Sequence, residues 1–202
     1  MKRIIAASRN AHKIEEIEQI TKKYGMNVVS RDDAGLPKDE VEEDGETFEE
    51  NSYKKAKAIW DMCHETVIAD DSGLMVDALD GAPGVYSARF AGEEGNYKKN
   101  NDKLIECLKG LPEEKRSAKF VTVITLIYPD GKTLVAKGQC TGRILESPRG
   151  QGGFGYDPLF MPEGFDVSFA EMTSEEKNTI SHRAMALKEL ERMLSEDEER
   201  KG

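Results

Sequence analysis

The sequence predicts an α/β fold built on a mixed sheet. Short apolar runs of strand length are interspersed with segments whose apolar residues recur at helical spacing. Their succession is too irregular for a strict series of βαβ units. The stretch Pro129-Asp130-Gly131-Lys132 lies between two such runs and is a hairpin signal, which requires an antiparallel pair.

Each element has its own warrant. Residues 2–7 read as a short buried strand. Residues 11–24 read as a helix with Ile14, Ile17 and Ile20 on one side and Gly25 as its stop. Val28-Val29 marks a second short strand, and the polar, acidic residues 31–46 form a loop. Thr47 opens a helix to about residue 63. Its spacing to Glu50 is that of a capping box, and Phe48, Ala56, Ile59 and Trp60 can face a core. Val67, Ile68 and Ala69 form a strand read as ending at Asp70-Asp71, where a turn at Ser72-Gly73 would swing both carboxylates toward one site. "GAPGVYSARFAG" is a loop, and residues 96–109 are an amphipathic helix. Residues 120–128 and 133–138 flank the hairpin turn, and "SPRGQGGFGYDP" is a second glycine-rich loop. Ser174 opens a final helix that runs on to Leu194, and "SEDEERKG" reads as a frayed charged tail. There is no internal repeat and no linker, so residues 1–195 read as one domain and 196–202 as its tail.

Composition excludes several classes. With 202 residues, 38% hydrophobic and 34% charged, the chain has the balance of a soluble globular protein. No apolar run approaches the roughly 20 residues of a membrane helix. The apolar part of "MKRIIAAS" is too short for a secretion signal, which predicts a cytoplasmic protein. A net charge of −10 opposes bulk affinity for a nucleic acid backbone. It leaves room for a small anion held by local donors. Cys63, Cys107 and Cys140 form no CxxC pair and are read as small apolar core residues.

Four groups of residues are candidates to carry chemistry. "SRNAHK", residues 8–13, joins the first strand to the first helix, where backbone N–H groups and the helix dipole suit phosphate. Ser8 and Asn10 add neutral donors there and Lys13 a charge; ordinary capping by Ser8 or Asn10 is the competing reading. Glu42, Glu43, Asp44, Asp70 and Asp71 are an acidic, oxygen-only set of the kind that suits Mg²⁺, and a carboxylate outside the metal's reach could take a proton from water. Asp70 and Asp71 are the strongest signal, because carboxylates at the end of a core strand are costly unless something pairs with them. In "GGFGYD" the glycines permit close backbone approach, and Phe154 could stack on a planar base. "KNTISHR" offers Lys177, His182 and Arg183 as donors to ligand oxygens.

Together these segments resemble the inosine/xanthosine triphosphate pyrophosphatase family. The resemblance runs from Ser8 to about Leu187 through "SRNAHK", "EEDGETFEENSYKKA", "ADDSGLMVDALDGAPGVYSARFAG", "GGFGYDPLF" and "EEKNTISHRAMAL". Ser8-Arg9 stands where Thr-Gly is common, and Ser52 where Ala is common. The resemblance implies an elongated mixed α/β fold with flanking helices and two lobes around a central cleft, in a homodimer. It also implies Mg²⁺-dependent hydrolysis of non-standard purine nucleoside triphosphates (ITP, dITP, XTP) to the monophosphate and pyrophosphate. Asp71 would be the general base and a metal carboxylate, with Asp70 beside it and Glu43, joined by Glu42, completing the metal set. Ser8, Arg9, Asn10, Ala11, His12 and Lys13 would hold phosphates, Lys55 would neutralise their charge, and Ser72 would bond the substrate. Phe154, Gly155, Tyr156, Asp157, Lys177, His182 and Arg183 would form the base pocket. There, Arg183 or His182 would donate to O6, Asp157 would accept from N1–H, and Lys177 or a backbone N–H would stand near position 2. Adenine would leave those groups unpaired. A pyrimidine-directed pyrophosphatase and a binding-only module are the alternatives; "GGFGYD" with "SHR" favours a purine, and the Asp pair favours catalysis.

Overall fold

The computed structural model describes residues 2–8, 10–37 and 41–199. The strands are β1 (Lys2–Ala6), β2 (Met26–Ser30), β3 (Val67–Val76), β4 (Ser117–Ile127), β5 (Thr133–Ile144) and β6 (Phe160–Pro162). The helices are α1 (Ala11–Thr21), α2 (Phe48–Cys63), α3 (Tyr97–Cys107), α4 (Ser174–Ile180) and α5 (His182–Glu199). The six strands form one sheet in the order β2-β1-β3-β4-β5-β6. β1 is parallel to β2 and β3, whereas β5 and β6 are antiparallel, so the sheet is mixed as expected.

The chain divides into two compact units. The first gathers the described residues of 1–71, 122–138 and 183–202, and the second those of 72–121 and 139–182.

In the first unit the alternation of strand side chains builds two cores. Ile4, Ile68, Ile124 and Leu126 face one side and pack with Ile17 of α1 and Ala184, Leu187 and Leu190 of α5. Ile5, Val67, Ala69 and Ile127 face the other and pack with Ala56 and Ile59 of α2. Covering both faces is why these strands read as continuous apolar runs. The side chain of Ile20 lies outside those described. In the second unit Phe120, Phe160 and Phe169 form an aromatic cluster, with rings 4.7 to 5.9 Å apart, joined by Leu74, Leu104, Leu108, Ile144 and Leu159.

The structure departs from the sequence pattern at several points. β3 does not end at Asp70-Asp71; it runs ten residues, straight through Ser72-Gly73. The carboxylates are tolerated in mid-strand because cations pair with them. The hairpin strands extend well beyond 120–138, and β6 was not anticipated. Thr47 caps α2 by accepting from Glu50 N, but the Glu50 carboxylate accepts from Glu46 N, so the reciprocal half of the capping box falls one residue early. The final helix is two helices. Thr173 and Glu176 cap α4 reciprocally, and Ser181, in extended conformation, separates it from α5. α5 then continues to Glu199, through most of the segment read as a tail. Of the three thiols, Cys107 is exposed rather than in a core, whereas Cys63 and Cys140 are half-buried. Burial pushes the Cys140 thiol up to about 11.

Candidate active site

The side-chain alternation of β3 decides the geometry around the Asp pair. Asp70 shares the face of Ile68, which α1 and α5 cover; Asp71 shares the face of Ala69, which α2 covers. Each carboxylate therefore meets the cations of different helices. Asp70, whose side chain is 0% exposed, receives Arg183 Nη2 of α5 at 3.1 Å and Lys13 Nζ of α1 at 3.3 Å on one oxygen. Glu16, one turn after Lys13, holds the other arm of the Arg183 guanidinium. Asp71 receives Lys55 Nζ of α2 at 3.1 Å on Oδ1, and the same ammonium lies 3.1 Å from Glu43 Oε2. Asp71 Oδ2 is shut from solvent and has no hydrogen-bond partner.

Burial and charge pull these groups in opposite directions. Burial holds the Lys13 ammonium below its ordinary pKa, against the pull of Asp70. For Lys55 burial is the largest single influence and works downward, yet Asp71, Glu43 and Asp70 together leave it raised. Burial raises the Asp71 carboxyl, opposed by Lys55 and Lys13 and reinforced by Glu43. Burial also lowers Arg183 to about 10. The outcome is a carboxylate fixed through one oxygen, with the other unengaged and more basic than an ordinary aspartate.

Supporting residues place this set. Ser52 Oγ lies 2.9 Å from Thr125 Oγ1 and 3.2 Å from Ala69 O, tying α2 to the strands one turn before Lys55. Buried Asn51 accepts from Gly45 N at 2.8 Å, anchoring the acidic loop that carries Glu43. Neither Glu16 nor Asn51 was picked out from sequence. Glu16 is visible only in its spacing of three from Lys13, and Asn51 only as a polar residue on the inner face of an amphipathic helix.

The start of α1 behaves as a cap. Asn10 Oδ1 accepts from His12 N and Lys13 N at 3.1 and 3.3 Å, and Ser8 Oγ accepts from Asn10 N at 3.1 Å. Those three backbone donors are already used. Ala11 and His12 are exposed, and Arg9 lies outside the described residues. Ser8 and Ala11 border a concavity of about 350 Å³ whose other walls include Glu15, Glu18, Asp32 and Asp33, a setting unfavourable to phosphate. Glu42 is exposed. Among the described residues no three His, Cys, Asp or Glu side chains gather as a group able to hold a metal ion unaided.

A second set lies within the second unit. Asp157 Oδ2 accepts from Phe154 N and from Lys177 Nζ, both at 2.8 Å, and the Lys–Asp pair is nearly fully buried. Lys177 Nζ lies 5.1 Å from the Phe154 ring centroid, close enough for a cation–π contact. Gly153, at φ +68°, is required here, because a Cβ at that position would come within 2.0 Å of Asp157 Oδ2. Tyr156 is buried, and its hydroxyl donates to Ser87 O at 2.8 Å; burial raises its pKa well above the ordinary tyrosine value. The His182 ring stacks on Phe120 with centroids 4.6 Å apart. Ser72 is half-buried within β3, and Gly155 O accepts from Asn101 Nδ2.

The fold and the first set define a mixed α/β protein with a buried cluster of two lysines, an arginine and carboxylates. The chain belongs to the Ham1 family, whose model matches residues 4–193. A Clostridium perfringens protein named dITP/XTP pyrophosphatase is 52% identical over 196 residues, covering 94% of this chain and 96% of that protein. The structure of the Staphylococcus aureus Ham1 protein superposes with a TM-score of 0.85 at 41% identity, covering 97% of this chain and all of that one. A HAM1 protein from Coxiella burnetii gives 0.86 at 36% identity, covering the same 97% of this chain and 100% of its own.

Proposed function

We propose that this chain hydrolyses non-standard purine nucleoside triphosphates (dITP, ITP and XTP) to the nucleoside monophosphate and pyrophosphate, removing them from the nucleotide pool. One observation carries the mechanism: Asp71 is held through Oδ1 by Lys55 while Oδ2, buried and without a hydrogen bond, is raised in basicity. The name of the Clostridium perfringens relative supports the substrate class.

Asp71 Oδ2 takes a proton from the attacking water, whose oxygen bonds to the α-phosphorus as the bond to the β-phosphate bridge breaks. Lys55 keeps Asp71 aimed and, with Lys13, opposes the negative charge that grows on the departing pyrophosphate. Arg183, engaged by Glu16 and Asp70, positions Asp70. His182 and Lys177 keep the base-donor roles and Phe154 the stacking role. Asp157, bonded to Lys177 and Phe154 N, shapes that loop.

The acidic set fits Mg²⁺. Glu43, with Asp71 through Oδ1, would supply hard oxygen ligands and leave Oδ2 for the proton; Mg²⁺ ordinarily takes one or two carboxylates plus water and substrate phosphates. When bound, the ion would neutralise phosphate charge and lower the pKa of its water. We further assign the protein to the cytoplasm and to a homodimer; among the described residues no helix is long and apolar enough to cross a membrane.

The test is pyrophosphate release from ITP, XTP, GTP and ATP, each with Mg²⁺ and with chelator. Mg²⁺-dependent release from ITP and XTP, with little from GTP and ATP, is expected. Orthophosphate as product would refute the assigned bond, and no release from any purine would refute the function.

A further inference from the structure

We propose that Asn101 of α3 is a positioning residue for the glycine-rich loop carrying Phe154, and that it thereby governs how tightly the base is held. The proposal rests on the base-reading role given to that loop above. Asn101 Nδ2 donates to Gly155 O at 3.0 Å, across 54 residues of sequence. Tyr97 lies four residues earlier and so on the same helix face. Its ring centroid is 6.2 Å from that of Phe154, at an angle of 46°. One face of α3 thus touches the loop on both sides of the Phe154–Gly155 peptide.

The helix is a firm support for this glycine-rich loop. Leu104 is fully buried in the core of the second unit. Neighbouring Asn100 is buried too; it accepts from Ala91 N at 2.7 Å and donates to Ala88 O at 3.0 Å. Between residues 150 and 155 the loop contains four glycines, three of them at positive φ. Glycine leaves the chain many conformations, so the Asn101 bond adds to the Asp157 latch in selecting one.

The amide of Asn101 is poorly explained as a stabilising group. Its Oδ1 is shut from solvent and finds no hydrogen-bond partner. A buried acceptor without a donor costs stability, and replacing such a side chain by an apolar one of the same shape can be neutral or favourable. What Asn101 supplies that leucine cannot is the Nδ2–H held on Gly155.

The test compares Asn101→Leu and Asn101→Ala with the wild-type chain by amide hydrogen exchange over residues 152–158, thermal midpoint, and ITP kinetics. The thermal midpoint of Asn101→Leu is expected to stay or rise, while exchange over 152–158 accelerates in both variants. KM for ITP should rise about 3- to 10-fold, the worth of one hydrogen bond, with kcat within about two-fold. Unchanged exchange and unchanged KM would overturn the proposal. So would a fall in thermal midpoint with kcat and KM impaired together, the mark of a merely structural residue. If the wild type hydrolyses no ITP, the functional reading fails; hydrogen exchange then still decides whether Asn101 positions the loop.

Discussion

Replacing Asp71 by asparagine separates the demands of function from those of folding. Asparagine keeps an oxygen for Lys55, and Lys55 keeps Glu43 at 3.1 Å, so no cation is stranded. The substitution removes a carboxylate charge from a site where burial is the largest influence and raises the pKa above 3.8. The sign follows from linkage. A raised carboxyl pKa means that the folded state binds the proton more tightly than the unfolded state does. Its contribution is fully present below pH 3.8 and is lost as pH rises through the higher folded value. Asparagine does not titrate, so the stability of Asp71→Asn relative to wild type should increase between pH 4 and pH 7.5. At pH 7.5 the variant should be more stable by about 1 kcal/mol, the cost of burying the charge less that of leaving the new amide N–H unpaired. That is about 2–4 °C in Tm for a chain of this size. Turnover should fall by about 10²–10⁴, the contribution of a positioned general base. Urea titrations and thermal scans in chelator, with pyrophosphate release assayed in Mg²⁺, decide it. A variant less stable than wild type at pH 7.5, or one that keeps near-normal turnover, would refute the reasoning.

Two further substitutions probe the two sets. Lys55→Met leaves Asp71 and Glu43 without their shared cation and should cost about 3 kcal/mol at pH 8. With Lys55 no longer opposing burial, Asp71 should titrate higher still, so the loss should shrink at pH 4.5; urea midpoints at both pH values check this. Gly153→Ala sets a Cβ against Asp157 Oδ2 in a left-handed backbone and should destabilise by about 2 kcal/mol, with a raised KM for ITP. Denaturant titration paired with kinetics measures it, and a neutral result would mean that the loop does not depend on the Asp157 latch.

Local signals are legible in the sequence; long-range pairing is not. Thr47, Asn96 and Gly25 mark helix ends by chemistry confined to a few residues, and the structure places caps at each. Asp70 and Asp71 were conspicuous because a carboxylate in an apolar run demands a partner. Their partners come from α1, α2 and α5, which no spacing along the chain reveals. Without them a strand would end at the Asp pair; with Lys13, Arg183 and Lys55 in place, it continues. Ser181 shows the same limit. The periodicity of 174–194 suits one helix, yet His182 stacks on Phe120 in the second unit while Arg183 serves Asp70 in the first. A break at Ser181 lets adjacent residues meet separate demands.

The charge balance of the first set bears on how a chain of net charge −10 handles a polyanion. Three cations, Lys13, Lys55 and Arg183, stand among four carboxylates, Asp70, Asp71, Glu43 and Glu16. Each cation is already bonded to a carboxylate, and Arg183 and Lys55 each to two. A triphosphate drawn to Lys13 or Lys55 must therefore compete with Asp70 or Asp71, and its own charges repel those carboxylates at close range. Two routes relieve the conflict: protonating Asp71, which would disable the base, or bringing in a cation that phosphate and carboxylate share. Only the second leaves Oδ2 able to accept a proton. A cation requirement would then follow from the protein's own ion pairs, and the chelator arm of the pyrophosphate assay tests that electrostatic reasoning along with the proposed cofactor.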